Sequence, residues 1–173
     1  LALLHTLQTV TGDINIVNNA SLHSFSIDSL TTIGGDLYIV TNYALASYSL
    51  DKLTDIGGDL YMHYNDALTS FSIDSLTHVG VNFRLVHNVG LTPFSLDSLI
   101  EVGGHLDFDW NASLHSFSID SLTTIGESLN IGDHDVLNSF SLESLTTIGG
   151  ESLYITGNIS LHSFSLDSLT HLS

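Results

Sequence analysis

One spacing constrains this chain more than any other feature: Val10, Ile33, Ile56, Val79, Val102, Ile125 and Ile148 stand 23 residues apart. The unit beginning at Ile33, IGGDLYIVTNYALASYSLDKLTD, is followed in outline by every other unit. Its apolar positions, Ile33, Leu37, Ile39, Leu45, Tyr48, Leu50 and Leu53, recur as columns. The Tyr48 column is otherwise aromatic too, with Phe25, Phe71, Phe94, Phe117, Phe140 and Phe164. A unit this short cannot bury an apolar face alone. Stacked on its neighbours it can, so the repeat predicts a linear stack with a continuous core.

Inside a unit the period is that of a strand. Leu37-Tyr38-Ile39 and Tyr48-Ser49-Leu50 alternate inward and outward residues. Gly34-Gly35 marks a tight turn before the first of them. No helical stripe is long enough for a helix, and the many Ser and Thr with 14 Gly and the single Pro93 suit short strands and turns. The expectation is an all-β solenoid of 23-residue leucine-rich coils joined by parallel ladders, a single domain over residues 1–173. About 7.5 coils at ~4.8 Å each give a core of roughly 36 Å. Gly149-Gly150-Glu151-Ser152-Leu153 has one residue more than Gly34-Gly35-Asp36-Leu37, which predicts a small bulge.

Composition narrows the partners. Lys and Arg number 2 against 19 Asp and Glu, for a net charge of −17. Such a chain lacks the cations that nucleic acid requires and is repelled by anionic membranes. No apolar run is long enough for a transmembrane helix. With 0 Cys there is no disulfide, thiol nucleophile or thiolate metal site. No initiator Met or signal peptide is present, so a mature or excised piece is expected.

The segment Leu37-x-Ile39-x-x-Asn42-x-x-Leu45 has the leucine-rich-repeat form LxLxxNxxL. With the IGGxLxI turn and the LxSLTTIG return strand, it resembles the receptor L-domain-like repeats of growth-factor receptor ectodomains and fungal GPI-anchored cell-wall proteins. The segment from Phe25 to Gly34 is similar to the 23-residue repeat of BspA-type bacterial surface proteins. The resemblance spans essentially the whole chain, but the cysteine-bonded caps of such ectodomains have no counterpart. It implies an extracellular or cell-surface location and a non-enzymatic role in binding or adhesion, with glycan or protein partners.

Three polar columns carry candidate chemistry. Asn19, Asn42, Asn65, Asn88, Asn111, His134 and Asn158 form one. Buried, these amides would form a structural ladder that satisfies loop backbone groups. Asn19, Asn111 and Asn158 also begin N-x-S sequons, which a buried amide cannot use. Asp28, Asp51, Asp74, Asp97, Asp120, Glu143 and Asp167 form an acidic column. Neighbouring carboxylates would repel by about 0.9 kcal/mol in water and ~3.5 kcal/mol at an effective dielectric near 20. Turn capping beside Ser relieves this, as does a row of Ca²⁺ ions, the one cofactor the pattern admits. The spacing matches no calcium motif. Thr31, Thr54, Thr77, Ile100, Thr123, Thr146 and Thr170 form a third column, next to serine rows such as those of Ser24 and Ser26. A flat hydroxyl face of this kind suits cross-strand pairing and also suggests ice binding.

The outward positions of the LxL strand vary most and form the candidate binding face. One column reads Asn15, Tyr38, Tyr61, Arg84, Asp107, Asn130 and Tyr154. Flanking columns add Asp36, Asp59, Asn82 and His105, then His63, Val86 and Asp109, with Tyr64 and Trp110 at the loop edge. Arg84 and Asp107 are spaced for an ion pair between adjacent coils. His105, Asp107 and Asp109, with Asp133-His134-Asp135, are types that bind metal or move protons. They match no catalytic signature, and no enzyme is expected.

Leu7 and Val10 occupy the Leu30 and Ile33 columns, and Leu172 occupies that of Ile33. A solenoid open at both ends is therefore expected, which invites either neighbouring repeats of a longer chain or end-to-end stacking of copies. The leading functional expectation is an extracellular structural repeat of a fibre, stalk or surface array. The alternatives are a binding or adhesion module using the LxL face, and a cation- or ice-binding surface.

Overall fold

The computed structural model describes residues 6–173. It is a β-solenoid of about 7 coils, nearly all strand and turn. Each coil contributes three short strands, as in Thr32–Ile33, Leu37–Val40 and Ser47–Ser49. Like strands of successive coils pair in parallel, so the rod has three faces. The register is 23 residues: Ile33 pairs with Ile56, Leu37 with Leu60 and Ser47 with Ser70.

The first face runs from Thr9–Val10 to His171–Leu172 and the second from Ile14–Val17 to Leu153–Thr156. The third is divided. Ser24–Ser26, Ser47–Ser49 and Ser70–Ser72 form one sheet, and Phe94–Ser95, Ser116–Ser118, Ser139–Ser141 and Ser163–Ser165 form another. The division falls at Pro93, which stands where other coils have Ser. Proline lacks the N–H and fixes φ near −65°, away from extended values, so the strand there shortens.

The corners have sequence causes. The N–H of Leu30 bonds the carbonyl of Ile27 at 3.1 Å, closing a β-turn with Asp28 and Ser29 at its centre. Every later coil repeats it, from Leu53 to Leu50 at 2.9 Å through Leu169 to Leu166 at 3.0 Å. The N-x-x-L segment makes a second turn, with Leu45 bonding Asn42 at 2.9 Å. At the third corner the backbones of adjacent coils nearly touch. A Cβ added at Gly126 would overlap the carbonyl oxygen of Gly103.

Between the faces lies one core. Leu37, Ile39, Leu45, Leu53, Leu60 and Met62 and their equivalents in the inner coils are fully buried, while those of the two end coils, such as Ile14, Leu153 and Leu169, are partly buried. The aromatic column packs inside the third face as a ring stack, with Phe25 and Tyr48 at 5.1 Å and 2°, and Phe117 and Phe140 at 5.2 Å and 3°. The stack tilts to 48° between Phe71 and Phe94, where the sheet divides. The extra residue lies between Thr147–Ile148 and Leu153–Thr156: Ile125 pairs with Ile148, 23 positions on, whereas Leu129 pairs with Leu153, 24 on.

Candidate functional site

Several polar columns are consumed in holding coil to coil. Asn65 accepts the Asn42 N–H at 3.1 Å and donates its amide to the Ile39 carbonyl at 2.8 Å. Asn42, Asn88 and Asn111 do the same one coil apart. The amide of Asn111 is fully buried on the Leu85 carbonyl, so this sequon is inaccessible in the folded chain. The Asn158 amide is half-buried and bonded to Ile131, while Asn19 is exposed. His134 takes the Asn role in its coil and is fully buried, with Nδ1 accepting the Asn111 N–H at 3.1 Å.

The acidic column lies on exposed turn corners, and serine hydroxyls cap it. Ser72 donates to Asp51 and also lies within reach of Asp74, Ser95 donates to Asp97, and Ser141 to Asp120. Among the described residues no three His, Asp or Glu side chains converge on a common point. The threonine hydroxyls are also engaged. Thr54 donates to the Thr31 carbonyl at 3.0 Å, Thr77 to Thr54 at 2.9 Å and Thr146 to Thr123 at 3.1 Å. They point along the rod, not outward as an ice-like lattice of free hydroxyls would require.

One part of the expected binding face has another use. Asp13, Asp36, Asp59, Asn82 and His105 form a second ladder, each side chain accepting the backbone N–H of its successor: Asp36, Asp59, Asn82, His105 and Ser128 at 2.9, 2.7, 2.8, 2.9 and 3.3 Å. His105 thus uses Nδ1 structurally. Charge pattern alone did not reveal this, because an acceptor column beside a Gly-Gly turn reads like any solvated acidic row.

The next column is the centre of the face. Tyr38 and Tyr61 stack at 5.0 Å and 9°, the Arg84 guanidinium lies 5.5 Å over Tyr61, and Arg84 Nε stands 3.9 Å from Asp107. Asn130 donates to Asp107 at 2.8 Å, and Tyr154 follows with its ring exposed. Tyr38 donates to Asp36 at 3.1 Å; burial first, and then this carboxylate, push its hydroxyl up to about 12.

At the loop edge, Asn18, Thr41, Tyr64, His87, Trp110 and Asp133 all have φ between 50° and 60°, the left-handed region. Glycine is cheapest there, and appears only as Gly157. Tyr64, His87 and Trp110 nonetheless stack as a row, at 4.9 Å and 16° and then 5.5 Å and 6°. His87 joins the expected Tyr64 and Trp110, a continuity that the 23-residue spacing carries. His63 packs edge-on against Tyr61 at 5.3 Å, and burial lowers its basicity, with Arg84 adding to the effect.

Beyond Arg84 the face sinks into a trough of about 470 Å³ lined by Arg84, His105, Asp107, Asp109, Asn130, Gly132, Asp133 and Tyr154, among others. Gly132 makes the dent, standing where Val17, Val40 and Val86 fill the same column in earlier coils. Asp109 at its rim is held above the usual carboxylate range, first by burial and then by the charges of Asp107 and Asp133. Asp133 and Asp135 flank His134 but project outward while His134 points in, so these three do not form one cluster. No family model, curated protein or solved structure matches the chain.

Proposed function

We propose that the protein is a binding module of the cell surface or extracellular space, and that its LxL sheet is the recognition face. The trough beside Arg84 supports this reading above all: the sheet carries a depression there that is lined by groups of several chemistries. Rigid parallel strands hold these side chains in fixed relation, and a preformed face limits the entropy lost on binding. The exposed rings of Tyr64, Trp110 and Tyr154 are the amphipathic anchors that interfaces favour. Panels of immobilised glycans, matrix proteins and basic peptides test the reading. Retention on one class is expected, abolished by combined Tyr61→Ser, Arg84→Ser and Asp107→Ser and preserved by Thr32→Ser with Thr124→Ser on the first face. Equal retention by both variants would sink it.

A second reading, an extracellular structural repeat that lengthens by coil-on-coil stacking, draws on the sameness of the coil junctions. Most junctions repeat the Asn and Thr hydrogen bonds at the same spacing. Sedimentation across a hundredfold concentration range separates the two, since rods lengthen with concentration only under the second.

A further inference from the structure

We infer that the trough is a carbohydrate subsite that seats a sugar ring of a neutral oligosaccharide; the inference rests on the binding-face reading above. Shape is the first ground. Arg84 and Tyr154 are tall walls of one side-chain row, with the shorter Asp107 and Asn130 between them. Those walls are three strand spacings apart, roughly 14 Å. The space of about 470 Å³ lies in the range of about 300–1,000 Å³ typical of small-molecule sites. It is too narrow for a folded partner and open along the sheet, as a chain of linked rings needs.

Chemistry is the second. A pyranose offers a ring of hydroxyls, each both donor and acceptor, and one face of C–H groups. Carboxylates accept, an amide does both, and a guanidinium donates. Asp107, Asp109, Asp133, Asn130 and Arg84 supply all three kinds around one depression. A Cβ at Gly132 would lie 2.8 Å from Asp109 Oδ1 and 3.6 Å from Asn130 Oδ1, so two acceptor-bearing side chains border the dent itself. Asn130 is held by Asp107 at 2.8 Å, which fixes its amide before any ligand arrives. For the C–H face there are exposed rings. Tyr154 walls the trough, and Trp110, stacked on His87 by one face, turns the other toward the coil of Asp133.

Charge decides among sugars. One guanidinium stands against three carboxylates in the lining, so sulfated, uronic and phosphorylated ligands are repelled. Neutral hexoses and N-acetylhexosamines remain.

Trp110 is the only Trp in the chain and adjoins Asp109 of the trough lining in sequence, so its emission reports on the edge of the site. The intact protein is titrated with cellohexaose, chitohexaose and mannohexaose, with a heparin hexasaccharide and an octa-arginine peptide as charged probes. At least one neutral hexasaccharide should shift the emission saturably and release heat in calorimetry, and the heparin fragment should do neither. Gly132→Val fills the dent with the residue the same column holds at Val40, and Tyr154→Ala removes an exposed wall; each should weaken binding at least tenfold without moving the melting temperature. Calorimetric silence from all three neutral sugars, or binding that survives both variants, overturns the inference. If only octa-arginine binds, and Gly132→Val blocks it, the sugar assignment falls while the face remains a binding face. If no neutral or charged probe binds and the panel above is also silent, both fall.

Discussion

His134 replaces an amide in a buried ladder of amides, and that exchange makes the fold sensitive to acid. The neutral ring accepts the Asn111 N–H through Nδ1, while Nε2 makes no well-formed hydrogen bond. A second proton would sit on Nδ1, facing another donor in a fully buried site. Burial accordingly lowers the pKa from 6.5 to about 4. The unfolded chain therefore takes up this proton first. Stability is intact above about pH 6.5, falls as pH drops toward 4, and loses on the order of 3 kcal/mol from this group. Restoring the column with His134→Asn should remove that increment: urea melts of the two proteins at pH 7 and pH 4.5 should diverge as pH falls. A gap independent of pH would refute the assignment. The left-handed row gives a second expectation. Thr41, β-branched with φ 59°, sits where glycine is unstrained. Thr41→Gly should stabilise by up to about 1 kcal/mol, less the entropy glycine adds to the unfolded chain. At Trp110→Gly the same relief should be offset by the lost stack on His87.

At the scale of strands and turns, the Gly126 corner and Pro93 mark where the repeat is most and least constrained. Gly126→Ala should destabilise by several kcal/mol, because the new Cβ meets backbone that cannot rotate away. A melting temperature within a degree of the parent would show that the coils separate easily. At Pro93, Ser in place of proline should lengthen Phe94–Ser95 and join the two halves of the third face. A gain of about 1 kcal/mol is expected, together with slower amide exchange at Phe94 and Ser95. These elements differ in how far the sequence discloses them. Coil register, core columns, the Asn ladder and the bulge near Ser152 were legible because each is a spacing, and stacking turns spacing directly into contact. The Asp36–His105 ladder was not, since whether a carboxylate faces water or the next backbone amide depends on a corner angle that spacing does not encode. The trough was missed for a related reason: it arises at Gly132, where a side chain is missing, and residue-type patterns point to groups that are present.

The whole rod carries 19 acidic against 2 basic residues in rows about one strand spacing apart. Serine capping of Asp51, Asp97 and Asp120 satisfies individual carboxylates but leaves the summed repulsion. Added salt should screen it. Raising NaCl from 20 to 500 mM should lift the melting temperature by several degrees, as the Debye length shrinks from about 20 Å to below one strand spacing. A melting temperature that does not respond, or falls, would mean the rows are already neutralised within the fold. Millimolar Ca²⁺ compared at matched ionic strength distinguishes screening from specific binding, since only a bound ion stabilises beyond the salt effect.

Arg84 and Tyr154 bound the trough from different coils, and the coils between them stack through the same parallel ladder. Inserting or deleting one coil would move the two walls by a single strand spacing, about 4.8 Å, with the ladders undisturbed. The gap is in this sense a ruler with fixed graduations. Chains that gain or lose units between those two side chains should accept guests longer or shorter by that increment, and the length of the preferred guest should change in steps.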